Sequence, residues 1–303
     1  MSKLVPSLNL LLKNKRASQK LIFTLAISFF VFMLISSLNR YYSFYASYDQ
    51  GLFNQLFWNN LHGDLFQGSL SSGQSNAVVN NGQIAKTSYY HLGQHFVLDF
   101  LLWLPLYALF PHSITLVILQ TALITLAGIV LSVLARHYLS LSISILITAS
   151  FYGSMAVIGP TFGNFYEHCQ IPLFVFSLLL ALEKCRWQLF WLFVALTLGI
   201  REDAGLITFG IGIYLIIIRR SLRLGLALCL LSFSYVAVVT NVIMPMFSND
   251  SSQLYLRTFY SQYVRENNPS TLQLLWGIIS HPQELVISLF TPFSKRIEYF
   301  LLQ

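Results

Sequence analysis

Residues 21–38 read LIFTLAISFFVFMLISSL, and this run decides what kind of fold the chain can adopt. A helix rises about 1.5 Å per residue, so a run of this length covers most of the roughly 30 Å hydrocarbon core of a bilayer. A signal peptide would be followed by a small-residue cleavage site, and no such site follows this run. The residues before the run include five bases: Lys3, Lys13, Lys15, Arg16 and Lys20. The run therefore predicts an uncleaved first transmembrane helix with a cytoplasmic N-terminus.

The composition of the whole chain agrees with a membrane protein. Of the 303 residues, 55% are hydrophobic and only 10% are charged. An ordinary soluble chain has about 25% charged residues. Because so few polar side chains cannot cover the apolar surface in water, the composition excludes the soluble two-domain protein that length alone would suggest.

Further apolar runs follow a long polar segment, residues 39–95. They cover residues 96–110, 113–135, 141–158, 171–182, 187–200, 204–218 and 222–247. The first of them has only 15 residues and contains Pro105, and such a length is typical of a re-entrant or interfacial helix. We predict that it does not cross the bilayer, so that the other runs and the first helix make seven spans.

The net charge of +7 supports this count when it is sorted by position. With seven spans the cytoplasmic side carries one acid, Glu183, and eleven bases: Lys3, Lys13, Lys15, Arg16, Lys20, Arg136, Lys184, Arg186, Arg219, Arg220 and Arg223. This distribution satisfies the positive-inside rule, whereas a full crossing by residues 96–110 would reverse every downstream base. Because membrane orientation explains the excess of basic residues, we predict no nucleic-acid partner.

The chain divides into three parts on this reading. Residues 1–20 are a basic cytoplasmic N-terminus, and residues 21–247 are a seven-span membrane module whose first outer loop is 39–112. Residues 248–303 form a second long outer loop and the start of a further apolar segment. Because the last residues resemble the opening turn of another helix, we expect a truncated form of a longer architecture.

Acidic side chains gather in three outer segments beside predicted helices. These segments are Tyr48-Asp49-Gln50-Gly51-Leu52-Phe53, Gly163-Asn-Phe-Tyr-Glu167-His168 and Arg201-Glu202-Asp203. Asp49 has aromatic and aliphatic neighbours, and partial desolvation of a carboxylate suits a general base. The alternative role for Asp49 is the N-cap of a short amphipathic helix. The alternative for residues 201–203 is a solvated turn that separates two spans, since charges are costly inside hydrocarbon.

His91 and His95 are four residues apart, which places both rings on one face of a helix and suits metal or anion binding. A HExxH protease needs Glu after the first His, where this chain has Leu92, so a metalloprotease is excluded. The alternative is that both histidines are polar anchors where residues 96–110 enter the membrane.

The order and spacing of these segments resemble an uncharacterised bacterial membrane family, number 2079 among the domains of unknown function. The resemblance runs from about residue 21 to about residue 292, and its motifs are residues 48–55, Trp58-Asn59, His95-Phe96, Glu167-His168 and residues 201–204. That family is similar to the type C glycosyltransferases, in which a catalytic Asp follows the first span. The resemblance implies an all-α polytopic protein of the bacterial plasma membrane, with about seven transmembrane helices and interfacial helices in the first outer loop.

The chemistry implied by the resemblance is inverting transfer of a sugar from a polyprenyl-phosphate carrier to an acceptor on the outer side. Asp49 would take the acceptor proton. The candidates for binding substrate or phosphate are Tyr48, Gln50, Lys86, His91, His95, Glu167, His168, Arg201, Glu202 and Asp203, with Arg257 and Arg265 as further phosphate partners. A divalent cation held by Glu167, His168, Glu202 and Asp203 is the alternative to an arginine at the phosphate.

Two other functions remain open. One is a transporter or lipid-handling protein, and the other is an inactive truncated membrane protein. Transporters often contain internal repeats and broken helices near the bilayer midplane. In this chain the ionisable residues lie at helix ends, which favours an active site at the membrane surface.

Overall fold

The computed structural model describes residues 15–45, 47–247, 271–284 and 286–287. Within these ranges the regular structure is helical, with one isolated antiparallel bridge between Gln67 and Tyr90. Lys3, Lys13, Arg257 and Arg265 lie outside the described residues, as do most of the predicted second outer loop and the expected truncated end.

The main α-helices of the described residues follow one another along the chain, and residues 282–284 and 286–287 are helical as well. Their bounds are α1 Lys15–Tyr42, α2 Tyr48–Leu61, α3 Ser69–Gly73, α4 Asn76–Asn81, α5 Phe100–Leu109, α6 Ser113–Tyr138, α7 Leu141–Gly153, α8 Met155–Phe162, α9 Ile171–Glu183, α10 Trp187–Ile200, α11 Gly205–Ile217, α12 Leu222–Val238, α13 Met244–Phe247 and α14 Thr271–Ser280. Short 3₁₀ turns occupy His91–Gly93, Glu167–Gln170 and Glu202–Ala204. A π-helical turn, Val239–Ile243, joins α12 to α13.

Three helices of the described residues are long and apolar enough to cross a membrane. They are Gln19–Tyr42 of α1, the whole of α6, and the continuous run Leu222–Phe247. Helices α7 and α8 make a fourth candidate, but they are bent by 42°. The predicted run 141–158 is therefore not one straight helix, because Ser154 ends α7 in an extended conformation and its hydroxyl caps α8.

Helices α9, α10 and α11 are the remaining predicted spans, and each is short. They contain 13, 14 and 13 residues, which corresponds to about 20 Å of helix against a core of roughly 30 Å. By length and composition the structure thus supports three or four spans.

The helices pack into one bundle, with contacts between helices that are neighbours in the chain and between helices that are not. Helix α1 lies against α6, α6 against α9, α9 against α10, and α11 against α12. The last pair is closest at two glycines, since a Cβ atom built on Gly212 would stand 2.9 Å from the carbonyl oxygen of Gly225. Thr208 and Ser232 share a hydrogen bond of 2.7 Å across the same pair.

Charged segments collect at two opposite ends of the bundle, which are separated by the length of α6. Its 26 residues span about 39 Å. At the end where α6 terminates, Glu183 pairs with His137 and with Arg220. At the end where α6 begins, Ser113 contacts Gln50 of α2, the residue that follows Asp49. We call these the His137 end and the Asp49 end.

The first loop is a folded helical layer over the Asp49 end. Aromatic rings join its helices, with Phe57 of α2 4.9 Å from Phe100 of α5 between ring centroids. The hydroxyl of Tyr107 in α5 donates to the side chain of Asn54 at 2.9 Å. Helix α5, the core of the predicted interfacial segment, has ten residues and packs on α2. The layer therefore gives the loop residues fixed positions against the bundle.

Candidate functional site

Asp49 lies in the first turn of α2, and its surroundings decide between the two roles open to it. The N-cap of α2 is Ser47, whose hydroxyl accepts a hydrogen bond from the backbone N–H of Asp49 at 3.3 Å. The alternative of Asp49 as the cap is therefore wrong. Its half-buried carboxylate instead accepts a hydrogen bond of 2.9 Å from the hydroxyl of Tyr166.

Two buried glutamines hold the loop that carries Tyr166. The side chain of Gln50 donates to the hydroxyl of Ser113 at 2.7 Å and accepts from the backbone N–H of Phe165 at 2.8 Å. The side chain of Gln120 donates to the carbonyl oxygen of Asn164 at 2.9 Å and accepts from the backbone N–H of Tyr166 at 2.9 Å. Because a buried amide that loses such partners is costly, these contacts fix the loop against α2 and α6.

The same loop also fixes the start of α2. The side-chain oxygen of Asn164 accepts a hydrogen bond from the backbone N–H of Ser47 at 2.9 Å, and its amide group donates to the Ser47 hydroxyl. We use the name Asp49 site for these four residues: Ser47, Asp49, Asn164 and Tyr166.

An open cavity of about 300 Å³ lies beside this site at the end of α1. It is lined by Asn39, Arg40, Ser43, Tyr45 and Phe162. The guanidinium of Arg40 donates to the carbonyl oxygen of Phe162 at 3.1 Å and lies 5.6 Å from the centroid of its ring. We call this space the Arg40 cavity.

A second set of charged residues forms the Arg201 cluster: Arg201, Glu167, Glu202, Asp203, His95 and His168. The guanidinium of Arg201 lies 3.1 Å from Glu167, 3.5 Å from Glu202 and 3.4 Å from Asp203. His95 contacts Glu202 at 3.0 Å, and His168 lies 3.8 Å from Asp203. The solvated-turn alternative is therefore wrong for Arg201, which is only 11% exposed and is surrounded by carboxylates.

Electrostatics within the Arg201 cluster favour its charged forms. Burial alone would raise the pKa of Glu202, but His95, Arg201 and the N–H of Phe96 together hold it below its usual value. The pKa of Asp203 is lowered in the same way, by His168 and Arg201 against burial. Burial would lower the pKa of Arg201, yet the three carboxylates raise it.

The divalent-cation alternative finds no support in this arrangement. Among the residues that the structure describes, no group of three or more His, Cys, Asp or Glu side chains is arranged to hold a metal ion. The guanidinium of Arg201 occupies the position among the carboxylates that a cation would need.

The two histidines of the first loop have different partners. His91 is 2% exposed, and its Nδ1 atom lies 2.9 Å from the hydroxyl of Ser71. Burial lowers the pKa of His91 to about 3, and the nearby His95 and Arg201 act in the same direction. Residues 91–93 form a 3₁₀ turn, yet the rings of His91 and His95 are still neighbours, 5.8 Å apart. Because His95 turns to Glu202, the pair does not converge on one ligand.

The remaining predicted residues lie outside both groups. The hydroxyl of Tyr48 donates to the carbonyl oxygen of Leu70, and Gln50 uses its amide in the internal contacts described above. Lys86 is exposed, and only its backbone N–H bonds to Ser72 in the described part of the chain.

Three residues of the Asp49 end were missed by sequence reasoning. Tyr166 and Asn164 stand within the quoted segment 163–168 but carry no charge that would mark them. The seven-span prediction puts Arg40 among the bases of the outer side and gives it no further role. The available signal was its position in the last turn of α1, nine residues before Asp49.

Comparison with known proteins gives one match. A family model described as "Predicted membrane protein (DUF2079)" matches residues 40–303, which include the Asp49 site and the Arg201 cluster. No curated protein and no solved structure matches the chain.

Proposed function

The chain belongs to the DUF2079 family of predicted membrane proteins, and we propose that it moves a sugar from a polyprenyl-phosphate carrier to an acceptor at its Asp49 end. The observation that carries this proposal is the carboxylate of Asp49, half-buried and oriented by the hydroxyl of Tyr166. Its Oδ2 atom accepts from Tyr166, and its Oδ1 atom has no hydrogen-bond partner among the described residues. One carboxylate oxygen is thus held in place while the other can receive a proton.

The transfer is a single displacement. The acceptor oxygen forms a bond to the anomeric carbon of the sugar, and the bond from that carbon to the phosphate oxygen breaks. The lipid phosphate leaves with the bonding electrons, and the acceptor proton ends on Asp49. A positioned general base contributes about 10²–10⁴-fold to such a rate. Attack from the side opposite the leaving group inverts the anomeric configuration.

The orientation that we propose has seven crossings, with the Asp49 end outside. The two ends of the bundle support it, because the contacts of Glu183 with His137 and Arg220 join residues assigned to the cytoplasmic side. The contacts of Arg201 with Glu167 and Glu202 join residues assigned to the outer side. Helices α9 to α11 would cross with the help of local bilayer thinning.

The Arg201 cluster has a structural role in this proposal. It ties the turn between α10 and α11 to the 3₁₀ turn Glu167–Gln170 and, through Glu202, to the first loop at Phe96. Since Tyr166 directly precedes Glu167, the cluster supports the residue that orients Asp49. Arg201 is neutralised by its own carboxylates, so we no longer assign it to the leaving phosphate.

Transfer is tested with the purified full chain in lipid nanodiscs. Sugar-labelled polyprenyl-phosphate sugars and sugar-labelled nucleotide sugars are each supplied with a bacterial envelope extract as acceptor. We expect label to leave only the lipid-linked donor. Use of the nucleotide sugar, or retention of label on the lipid donor, would contradict the proposal.

Sidedness is tested by cysteine labelling. Single cysteines at His137 and Asp203 are introduced into a chain that lacks Cys169, Cys185 and Cys229, which are free thiols in the structure. A membrane-impermeant maleimide added to intact cells should label position 203 and not position 137. The reverse pattern would contradict the orientation.

A further inference from the structure

The two arginines nearest the proposed chemistry differ in how their charge is compensated. Arg201 has three carboxylates within 3.5 Å. Arg40 forms no ion pair with a carboxylate in the described part of the chain, and its guanidinium donates once, to the carbonyl oxygen of Phe162. A guanidinium has five N–H donors, so most of those of Arg40 remain available to a ligand. Arg40 is therefore the arginine that can bind an anion.

The Arg40 cavity has the chemistry of a phosphate site at a membrane surface. Its polar lining residues are Asn39, Arg40 and Ser43, and its aromatic ones are Tyr45 and Phe162. The planar fork of arginine suits phosphate because it can bind two oxygens at once. A cavity of about 300 Å³ is large enough for a phosphate group together with a neighbouring sugar or isoprene unit.

Exposed aromatic side chains stand at the end of α1, beside the cavity. Phe44 is 95% exposed and Tyr45 is 73% exposed, directly after the end of α1. Phe44 has a positive φ of 62°, so the chain turns sharply there and separates these rings from the helix. Aromatic rings at the end of a transmembrane helix typically lie at the level of the lipid headgroups.

The cavity is next to the Asp49 site. Phe162, which receives the hydrogen bond of Arg40, is two residues from Asn164 of that site. Burial raises the pKa of the Tyr166 hydroxyl, and the nearby charge of Arg40 acts in the opposite direction. A phosphate bound at Arg40 would thus lie next to the Asp49 site.

We propose that Arg40 binds the phosphate group of a polyprenyl phosphate in the Arg40 cavity. This inference rests on the proposed function for the identity of the lipid, and on the cavity and the uncompensated charge for the phosphate. Arg40 then neutralises the leaving group while Asp49 takes the acceptor proton.

Binding of polyprenyl monophosphate, measured on the full chain in nanodiscs, tests the inference without any transfer. Wild-type protein should bind this lipid at least tenfold more tightly than the polyprenol of the same length. Arg40→Gln should lose that difference, and Arg40→Lys should recover part of it. The matched control is Arg223→Gln, which removes an exposed arginine at the His137 end and should bind like wild type.

Competition by inorganic phosphate distinguishes the source of the phosphate. Weak competition means that the cavity needs the lipid, whereas displacement at equal concentrations means that it is a site for free phosphate and overturns the inference. Unchanged binding by Arg40→Gln in a chain with wild-type melting temperature also overturns it. Equal loss in Arg223→Gln would mean general attraction by charge, which is contrary to a site at Arg40.

The inference and the proposed function can fail separately. Arg40-dependent binding of polyprenyl phosphate without any sugar transfer would leave the site standing and remove the transferase function. Sugar transfer whose KM for the lipid donor does not change in Arg40→Gln would remove the site and leave the function.

Discussion

The hydroxyl of Tyr166 donates a 2.9 Å hydrogen bond to the carboxylate of Asp49, across 117 residues of sequence. The next residue, Glu167, accepts a hydrogen bond of 3.1 Å from Arg201. One short loop therefore connects the proposed base to the buried charged cluster. Buried Gln50 and Gln120 hold that loop from two other elements.

Replacement of Tyr166 by Phe should slow transfer while the fold is preserved. The variant removes the hydrogen bond to Asp49 and keeps the ring, whose centroid lies 6.2 Å from that of Phe53. We expect kcat to fall about 10–100-fold, with little change in KM, because a lost hydrogen bond to a charged group is worth about 1.5–3 kcal/mol. Steady-state kinetics on the purified chain measure this. Wild-type kcat in Tyr166→Phe would mean that the hydroxyl does not orient the base.

Replacement of Arg201 by Gln should destabilise the protein strongly. It leaves three carboxylates without their cation, and Glu167 among them is 3% exposed. Removal of one partner from a buried ion pair typically costs about 3–5 kcal/mol. Thermal unfolding in detergent measures the loss, and Arg223→Gln, an exposed arginine at the His137 end, is the matched control. A melting temperature equal to that of the control would contradict the structural role of Arg201.

The sequence alone predicted part of the fold and part of the candidate site. The length of apolar runs predicted the regions of α1 and α6, and charge at helix ends predicted residues 167 and 201–203. Both features belong to a single segment of the sequence and depend on whether that segment prefers lipid or water. Tyr166 and Arg40 acquire their roles only through contacts with segments more than 100 residues away. The break at Ser154 was also missed, since hydropathy does not report backbone direction.

The stability of the protein should fall in acid partly because of His91. Burial lowers its pKa in the folded chain to about 3, against 6.5 for a free histidine. Below pH 6.5 the unfolded chain takes a proton that the folded chain does not, so stability falls from pH 6.5 toward about pH 3. His91→Gln should reduce this slope by up to about 1.4 kcal/mol per pH unit. Chemical unfolding at several pH values measures it, and an unchanged slope would contradict the burial of His91.

Asp99, which lies in the first loop just before α5, should act in the opposite direction. Burial raises its pKa to about 7, against 3.8 for a free aspartate. Between these values the folded chain holds a proton that the unfolded chain has lost, so this group reduces stability as the pH rises from about 4 to 7. We expect Asp99→Asn to gain stability relative to wild type by about 1–3 kcal/mol over that range. Chemical unfolding at pH 4.5 and pH 7.5 measures this. The same difference in unfolding free energy between the two proteins at both pH values would contradict a buried Asp99.

The central claim is that Asp49 is the general base, and the kcat of Asp49→Asn tests it most directly. The asparagine keeps the size of the side chain and an oxygen for Tyr166, but it cannot take the acceptor proton. Asp64→Asn, which changes an exposed acid of the same loop, is the control and should transfer at the wild-type rate. With a lipid-linked sugar donor, we predict that kcat of Asp49→Asn falls about 10²–10⁴-fold while its melting temperature stays at the wild-type value. Transfer at the wild-type rate by folded Asp49→Asn would contradict the claim.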